Sequence, residues 1–66
     1  MQNNYQVVVT TESVEYAIDR LNVEIYSKTG IYIEFDYLRK NSKIVEKHLM
    51  TGECVIHASI GSNHLK

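Results

Sequence analysis

Cysteine and histidine side chains in the C-terminal third have the clearest potential for chemistry in this sequence. Cys54 and His57 form a Cys-x-x-His spacing, with His48 before it and His64 after it. Metal ligands must converge on one point. Residues three apart on a β-strand point to opposite faces. Because residues 54–60 are predicted to form a strand, Cys54 and His57 should diverge, and we expect no metal site.

Catalytic groups are equally poorly supported. Cys54 with His48 or His57 lacks a recognisable orienting group and an oxyanion loop. Glu34 and Asp36 lie two apart on a predicted strand and could form an acid–base pair, but a solvated sheet face accounts for them equally well. The three glycines are isolated, so no phosphate-binding loop is present. We therefore expect no enzyme and no cofactor.

Length and composition predict one small intracellular domain. The 66 residues allow a single domain over 1–66, with 1–4 and 61–66 as frayed tails. The lone cysteine suits a reducing compartment, and no segment approaches the roughly 20 apolar residues of a membrane helix. We expect a cytoplasmic protein with no membrane partner. Residues with AT-rich codons are frequent, which favours a bacterial or phage origin.

One amphipathic helix is predicted over residues 12–28. Hydroxyl and acidic side chains at its start suit the free amides of a first helical turn. Gly30 follows as a left-handed cap. An apolar stripe at helical spacing should pack on a sheet. The stripe consists of Val14, Ile18, Leu21 and Ile25, with Ala17 beside it.

Four strands are predicted around this helix, over residues 5–10, 31–38, 43–50 and 54–60. The clearest alternation is at 31–38, where Ile31, Ile33, Phe35 and Tyr37 share one face. The facing of 43–50 stays open. The order β-α-β-β-β predicts an α+β fold with one helix packed on one face of a four-stranded mixed sheet. The first strand would run parallel to its neighbour through a right-handed crossover.

A basic hairpin is one candidate binding surface. Most of the positive charge falls within ten residues, at Arg39, Lys40, Lys43 and Lys47. A basic hairpin can follow a phosphate backbone, and nearby tyrosines can stack on bases. The overall charge of −1 and the acidic helix weigh against nucleic acid, and a solubilising turn is the simpler interpretation. Nucleic-acid binding is therefore the alternative function.

Surplus apolar surface is the other candidate, because one helix covers only one face of a sheet. The uncovered face and the outer side of the helix should expose several apolar and tyrosine side chains, a composition typical of protein interfaces. We expect a small non-catalytic regulator or inhibitor that docks on a larger protein, as a homodimer that stacks sheet faces or pairs edge strands. The predicted interface consists of Val8, Tyr32, Leu38, Val55, Tyr16 and Tyr26.

Overall fold

The computed structural model describes residues 2–10 and 13–65 of the chain. Three strands, two helices and a short 3-10 turn follow one another. They are β1 (Gln2–Val9), α1 (Val14–Thr29), α2 (Phe35–Lys40), β2 (Ser42–Lys47), β3 (Cys54–Gly61) and the 3-10 turn Ser62–Leu65. No helix in these described ranges has the length and apolar content needed to cross a membrane.

The sheet has three antiparallel strands in the order β1-β3-β2, so the prediction of a four-stranded mixed sheet is wrong. β1 runs antiparallel to β3, from Gln2 opposite Gly61 to Val9 opposite Cys54. The predicted parallel crossover needed a neighbouring strand at 31–38. Since that segment does not enter the sheet, β1 pairs with the last strand instead.

The segment 31–38 is the main error of the sequence prediction. Its first residues are irregular, and a helix begins at Phe35. Alternating side chains do not make a strand when the backbone finds other partners. Here the Asn22 side chain satisfies both peptide groups of Ile33. The Leu38 amide donates to the Glu34 carbonyl at 3.0 Å, which closes the first turn of α2.

Helix α1 confirms the predicted helix to within two residues at either end. Ser13 is its N-cap, because the Ser13 Oγ accepts a hydrogen bond from the Tyr16 amide at 3.2 Å. Gly30 ends the helix with φ of 75°, a left-handed backbone conformation that residues other than glycine adopt only at a cost in free energy. The Gly30 amide donates to the Tyr26 carbonyl at 2.8 Å. Glu12 lies outside the described residues.

The core lies between α1 and one face of β3. This is the face that the alternation of residues 54–60 predicted to be buried. Leu21 and Ile25 of α1 and Ile60 of β3 are fully buried. Val14 was expected in the same stripe but is 56% exposed, because it lies at the open end of the helix–sheet contact. The remaining core residues of these two elements are Ala17, Ile18, Cys54, Ile56 and Ala58.

Strand β2 is shorter than the predicted strand 43–50. Its register against β3 shifts between Ile44 and Glu46, which marks a bulge at Val45. A turn follows, in which the His48 amide donates to the Glu53 carbonyl and the Gly52 amide donates to the His48 carbonyl, both at 2.8 Å. Both predicted tails carry structure, since residues 2–4 belong to β1 and residues 62–65 form the 3-10 turn.

Candidate protein-docking groove

A groove of about 320 Å³ lies between the start of α1, the end of α2 and the edge strand β2. It exists because α1 packs on β1 and β3, while α2 contacts β2 and reaches the end of β3 through the Tyr37 hydroxyl, which accepts a hydrogen bond from the Gly61 amide at 3.3 Å. The helix-facing side of β2 is therefore left open. Ile44 pairs with the buried Ile56 but is itself 58% exposed. We call this feature the α1–β2 groove.

The floor of the α1–β2 groove is apolar and continuous with the core. Ile18, Cys54 and Ile56 line it and are buried. Val14 and Ile44 flank the floor and keep more than half of their surface exposed, at 56% and 58%. Apolar side chains that meet solvent at the mouth of a groove would gain free energy from being covered.

Basic residues border the α1–β2 groove. Arg39 and Lys40 occupy the last turn of α2, and Lys43 lies on β2. Within residues 2–10 and 13–65, the salt bridges join Lys28 to Glu24 and His48 to Glu46, so none neutralises the rim. The rim can therefore attract an acidic ligand.

One acidic residue lies close to this rim. Glu15 and Arg39 line a second depression that adjoins the groove, together with Phe35. Glu15 and Arg39 form no ion pair there, so the guanidinium group keeps its charge available.

The four residues of the nucleic-acid hypothesis do not share one surface. Arg39 and Lys40 are adjacent at the rim, and Lys43 also lines the groove. The pairing register, however, places Lys43 opposite His57 and Lys47 opposite Cys54. Cys54 faces the core and His57 faces the other side of the sheet. The side chains of Lys47 and Lys43 therefore leave the backbone on opposite faces of the sheet. Lys47 is not part of the groove.

The six predicted interface residues are distributed over four places. Val8 and Val55 are paired neighbours on the sheet face away from α1, 52% and 9% exposed. Tyr32 is not on the sheet, and its ring stacks on Tyr26 at 4.3 Å between centroids. Leu38 is fully buried in the core. Tyr16 is exposed on the first half of α1, ten residues before Tyr26.

The sheet face away from α1 is more polar than the sequence analysis expected. Gln6 lies opposite His57 there, and Asn4 lies opposite Ser59. The Ser59 hydroxyl donates to the Asn4 side-chain oxygen at 3.0 Å. The expected apolar face depended on Tyr32 and Leu38, and neither contributes to it.

The cysteine and histidines do not meet in the described part of the chain. Cys54 is buried in the core, and His57 lies on the other face of β3. His48 contacts Glu46 at 3.5 Å, and His64 stacks on Tyr37. Among residues 2–10 and 13–65, no three histidine, cysteine or acidic side chains gather closely enough to hold a metal ion.

Sequence reasoning missed the α1–β2 groove. Val14 was assigned to the core because it stands four residues before Ile18, and the facing of Ile44 was left open. Helical spacing shows which side chains share a face, but it does not show where the opposing strand ends. The available signal was the collection of three basic residues immediately before and within the strand that carries Ile44.

Comparisons of this chain with protein families, with curated proteins and with solved structures find no match.

Proposed function

We propose that this chain is a non-catalytic protein-binding regulator or inhibitor that docks on a larger protein through the α1–β2 groove. One observation carries the proposal: an open apolar groove is bordered by basic side chains that no salt bridge of the described residues neutralises. Apolar contact supplies affinity to such a surface, and complementary charge supplies orientation and a faster encounter.

The chemistry of the groove supports one kind of occupant. We propose an amphipathic segment of the target that places apolar side chains on Ile44 and Val14 and acidic side chains beside Arg39. The volume of about 320 Å³ accommodates a few side chains rather than a whole domain. Recognition of a short segment with apolar anchors and flanking charge is a common mode of peptide binding.

The elongated shape is consistent with a protein that works in a complex. The chain extends over 39 × 19 × 19 Å and exposes 4688 Å². A compact monomer of 7.6 kDa would expose about 4,300 Å². The additional surface is available to partners.

Nucleic-acid binding remains the alternative, and two features weigh against it. A phosphate backbone offers nothing to cover the apolar floor of the groove. The tyrosines nearest the basic residues also have ring partners within the chain, since Tyr32 stacks on Tyr26 and Tyr37 stacks on His64. Stacked rings have one face fewer to offer to a base.

Selection of peptides from a random display library on the immobilised protein tests the proposal. We expect enriched peptides that combine apolar residues with Asp or Glu. Their affinity should fall at least about tenfold for Ile44→Asp or Arg39→Glu, a change of about 1.4 kcal/mol. Met50→Asp is the matched control, because Met50 is 99% exposed and outside the groove.

Two results would overturn the proposal. One is the absence of any enriched peptide on the folded protein. The other is enrichment that Ile44→Asp and Met50→Asp affect equally, because the groove would then not be the binding site.

A further inference from the structure

The two edges of the sheet differ in how they are protected against pairing with another strand. β2 carries the devices that natural proteins place on an open edge: a bulge at Val45 and the charged side chains of Lys43, Glu46 and Lys47. β1 carries none of them. It pairs with β3 in unbroken register from Gln2 to Val9, without a charged residue or a proline.

We infer that two copies of this chain pair antiparallel along β1 and join their three-stranded sheets into one sheet of six strands. The absence of charged residues from β1 favours a second copy as the partner. In a symmetric pairing each strand meets itself, so any charge near the centre would approach its equal. Like charges on directly opposed strands destabilise a sheet. β1 is uncharged along its whole length, so it escapes this penalty.

Helix α1 lies where a second copy would bring another helix beside it. α1 packs on β1 and β3. Neighbouring strands are about 4.8 Å apart, so two such helices would be separated by two strand spacings, about 10 Å. This distance is close to the 8–10 Å of packed helices. Pairing along β1 therefore adds a helix contact to the strand contact.

The side of α1 that would face the second copy can be identified from the residues on its opposite side. Asn22 bonds to Ile33 and Tyr26 stacks on Tyr32, so that flank faces the chain segment leading to β2. Successive residues of a helix are about 100° apart. Arg20 and Glu24 are consequently on the flank beyond the β1 edge.

The level of the symmetry axis makes these two charges complementary. A two-fold axis keeps both helices on one face of the joined sheet only if it passes through a residue that meets its own copy, which near the middle of β1 is Tyr5 or Gln6, about 10–14 Å before Val9 at roughly 3.4 Å per residue. α1 returns over β1 at about 1.5 Å per residue, so the same level is reached about seven to nine residues after Val14, close to Asn22. Arg20 of one copy then lies within reach of Glu24 of the second copy, which also bridges to Lys28 of its own helix at 3.2 Å, and the reciprocal contact forms across the axis.

This self-association leaves the α1–β2 groove open, because β1 and β2 are opposite edges of the sheet. A failure of the dimer would leave the proposed function standing, and loss of peptide binding would leave the dimer standing.

Sedimentation equilibrium of the full chain without any ligand tests the inference. We expect a dimer at micromolar concentrations, and dimerisation at least about tenfold weaker in Gln6→Lys, which places a charge near the middle of β1. Met50→Lys adds the same charge at a fully exposed turn and should dimerise like the original chain. Circular dichroism checks that each variant is folded.

A charge exchange on α1 provides a second test that does not alter the strand. Arg20→Glu should weaken the dimer, because the new glutamate of each copy then faces Glu24 of the other copy. Adding Glu24→Arg to the same chain should restore the dimer. A monomer at high micromolar concentration, or a dimer unaffected by both Gln6→Lys and Arg20→Glu, would overturn the inference.

Discussion

Asn22 and Ile33 are joined by two hydrogen bonds between a side-chain amide and a backbone. The Asn22 Nδ2 donates to the Ile33 carbonyl at 2.8 Å, and the Ile33 amide donates to the Asn22 Oδ1 at 2.9 Å. A neighbouring strand would satisfy Ile33 in the same way. One side chain of α1 thus replaces a strand partner and holds the connection between the two helices against the core.

Removing this side-chain amide should destabilise the fold. Asn22→Ala leaves two part-buried peptide groups of Ile33 without their partner, and we expect a loss of about 1–3 kcal/mol in the free energy of unfolding. Urea denaturation measures the change. Asn63→Ala is the control, since Asn63 is exposed in the 3-10 turn and should change stability little. Equal stability of the two variants would show that solvent replaces Asn22 without cost.

Leu38 and Leu49 form a matched pair for testing the core. Leu38 is fully buried and Leu49 is 87% exposed. Leu38→Ala should cost about 2–5 kcal/mol, as buried leucine truncations do. In a domain with a total stability of about 5–15 kcal/mol or less, this loss should be visible as a much lower melting temperature. Leu49→Ala should melt close to the original chain, and similar melting of both variants would contradict the placement of α2.

The sequence predicted the elements whose local pattern and long-range role agree. α1 has a cap residue, an apolar stripe and a terminal glycine, and they act as expected except for Val14 at the start of the stripe, which is exposed. β3 alternates towards the core as predicted, with Ile56, Ala58 and Ile60 buried. In both elements the periodicity of the side chains matches the face that packs.

The segment 31–38 could not be assigned from periodicity because its apolar residues satisfy two patterns. Ile31, Ile33, Phe35 and Tyr37 alternate as in a strand, while Phe35 and Leu38 have the spacing of three that places residues on one face of a helix. The buried residues are Ile33 and Leu38, which would lie on opposite faces of a strand. The deciding interaction comes from Asn22, which is 11 residues away. The groove could not be predicted for a related reason. The sequence of a helix or of a strand does not show how many strands the helix will cover.

Tyr32 distinguishes the two modes of dimerisation. It is 62% exposed and stacks on Tyr26, away from the β1 edge. Tyr32→Glu should therefore leave the dimerisation constant unchanged and cost the fold only about 0.5–1.5 kcal/mol, the strength of an aromatic pair. Light scattering provides the comparison, with Gln6→Lys as the variant that should form monomers. Monomers from Tyr32→Glu would instead favour a dimer that stacks on Tyr32.

Arg39 and Lys47 separate the proposed function from its alternative. Lys47 is outside the α1–β2 groove and Arg39 is on its rim. Lys47→Ala should leave the affinity for an acidic peptide unchanged, whereas Arg39→Ala should weaken it, as fluorescence anisotropy can measure. If the chain instead binds nucleic acid through its basic residues, both variants should reduce the slope of log affinity against log salt concentration by about one each.

The position of β3 determines when this chain can fold. Both other strands pair only with β3 in the described sheet, and the partner of Gln2 is Gly61. During synthesis, α1 can form from local contacts, but β1 has no partner until the last strand has been made. Contacts between distant parts of a sequence slow folding. The growing chain therefore carries the apolar residues Val7, Val8 and Val9 unpaired from their synthesis until β3 has been made, and that interval is when β1 is most exposed to aggregation.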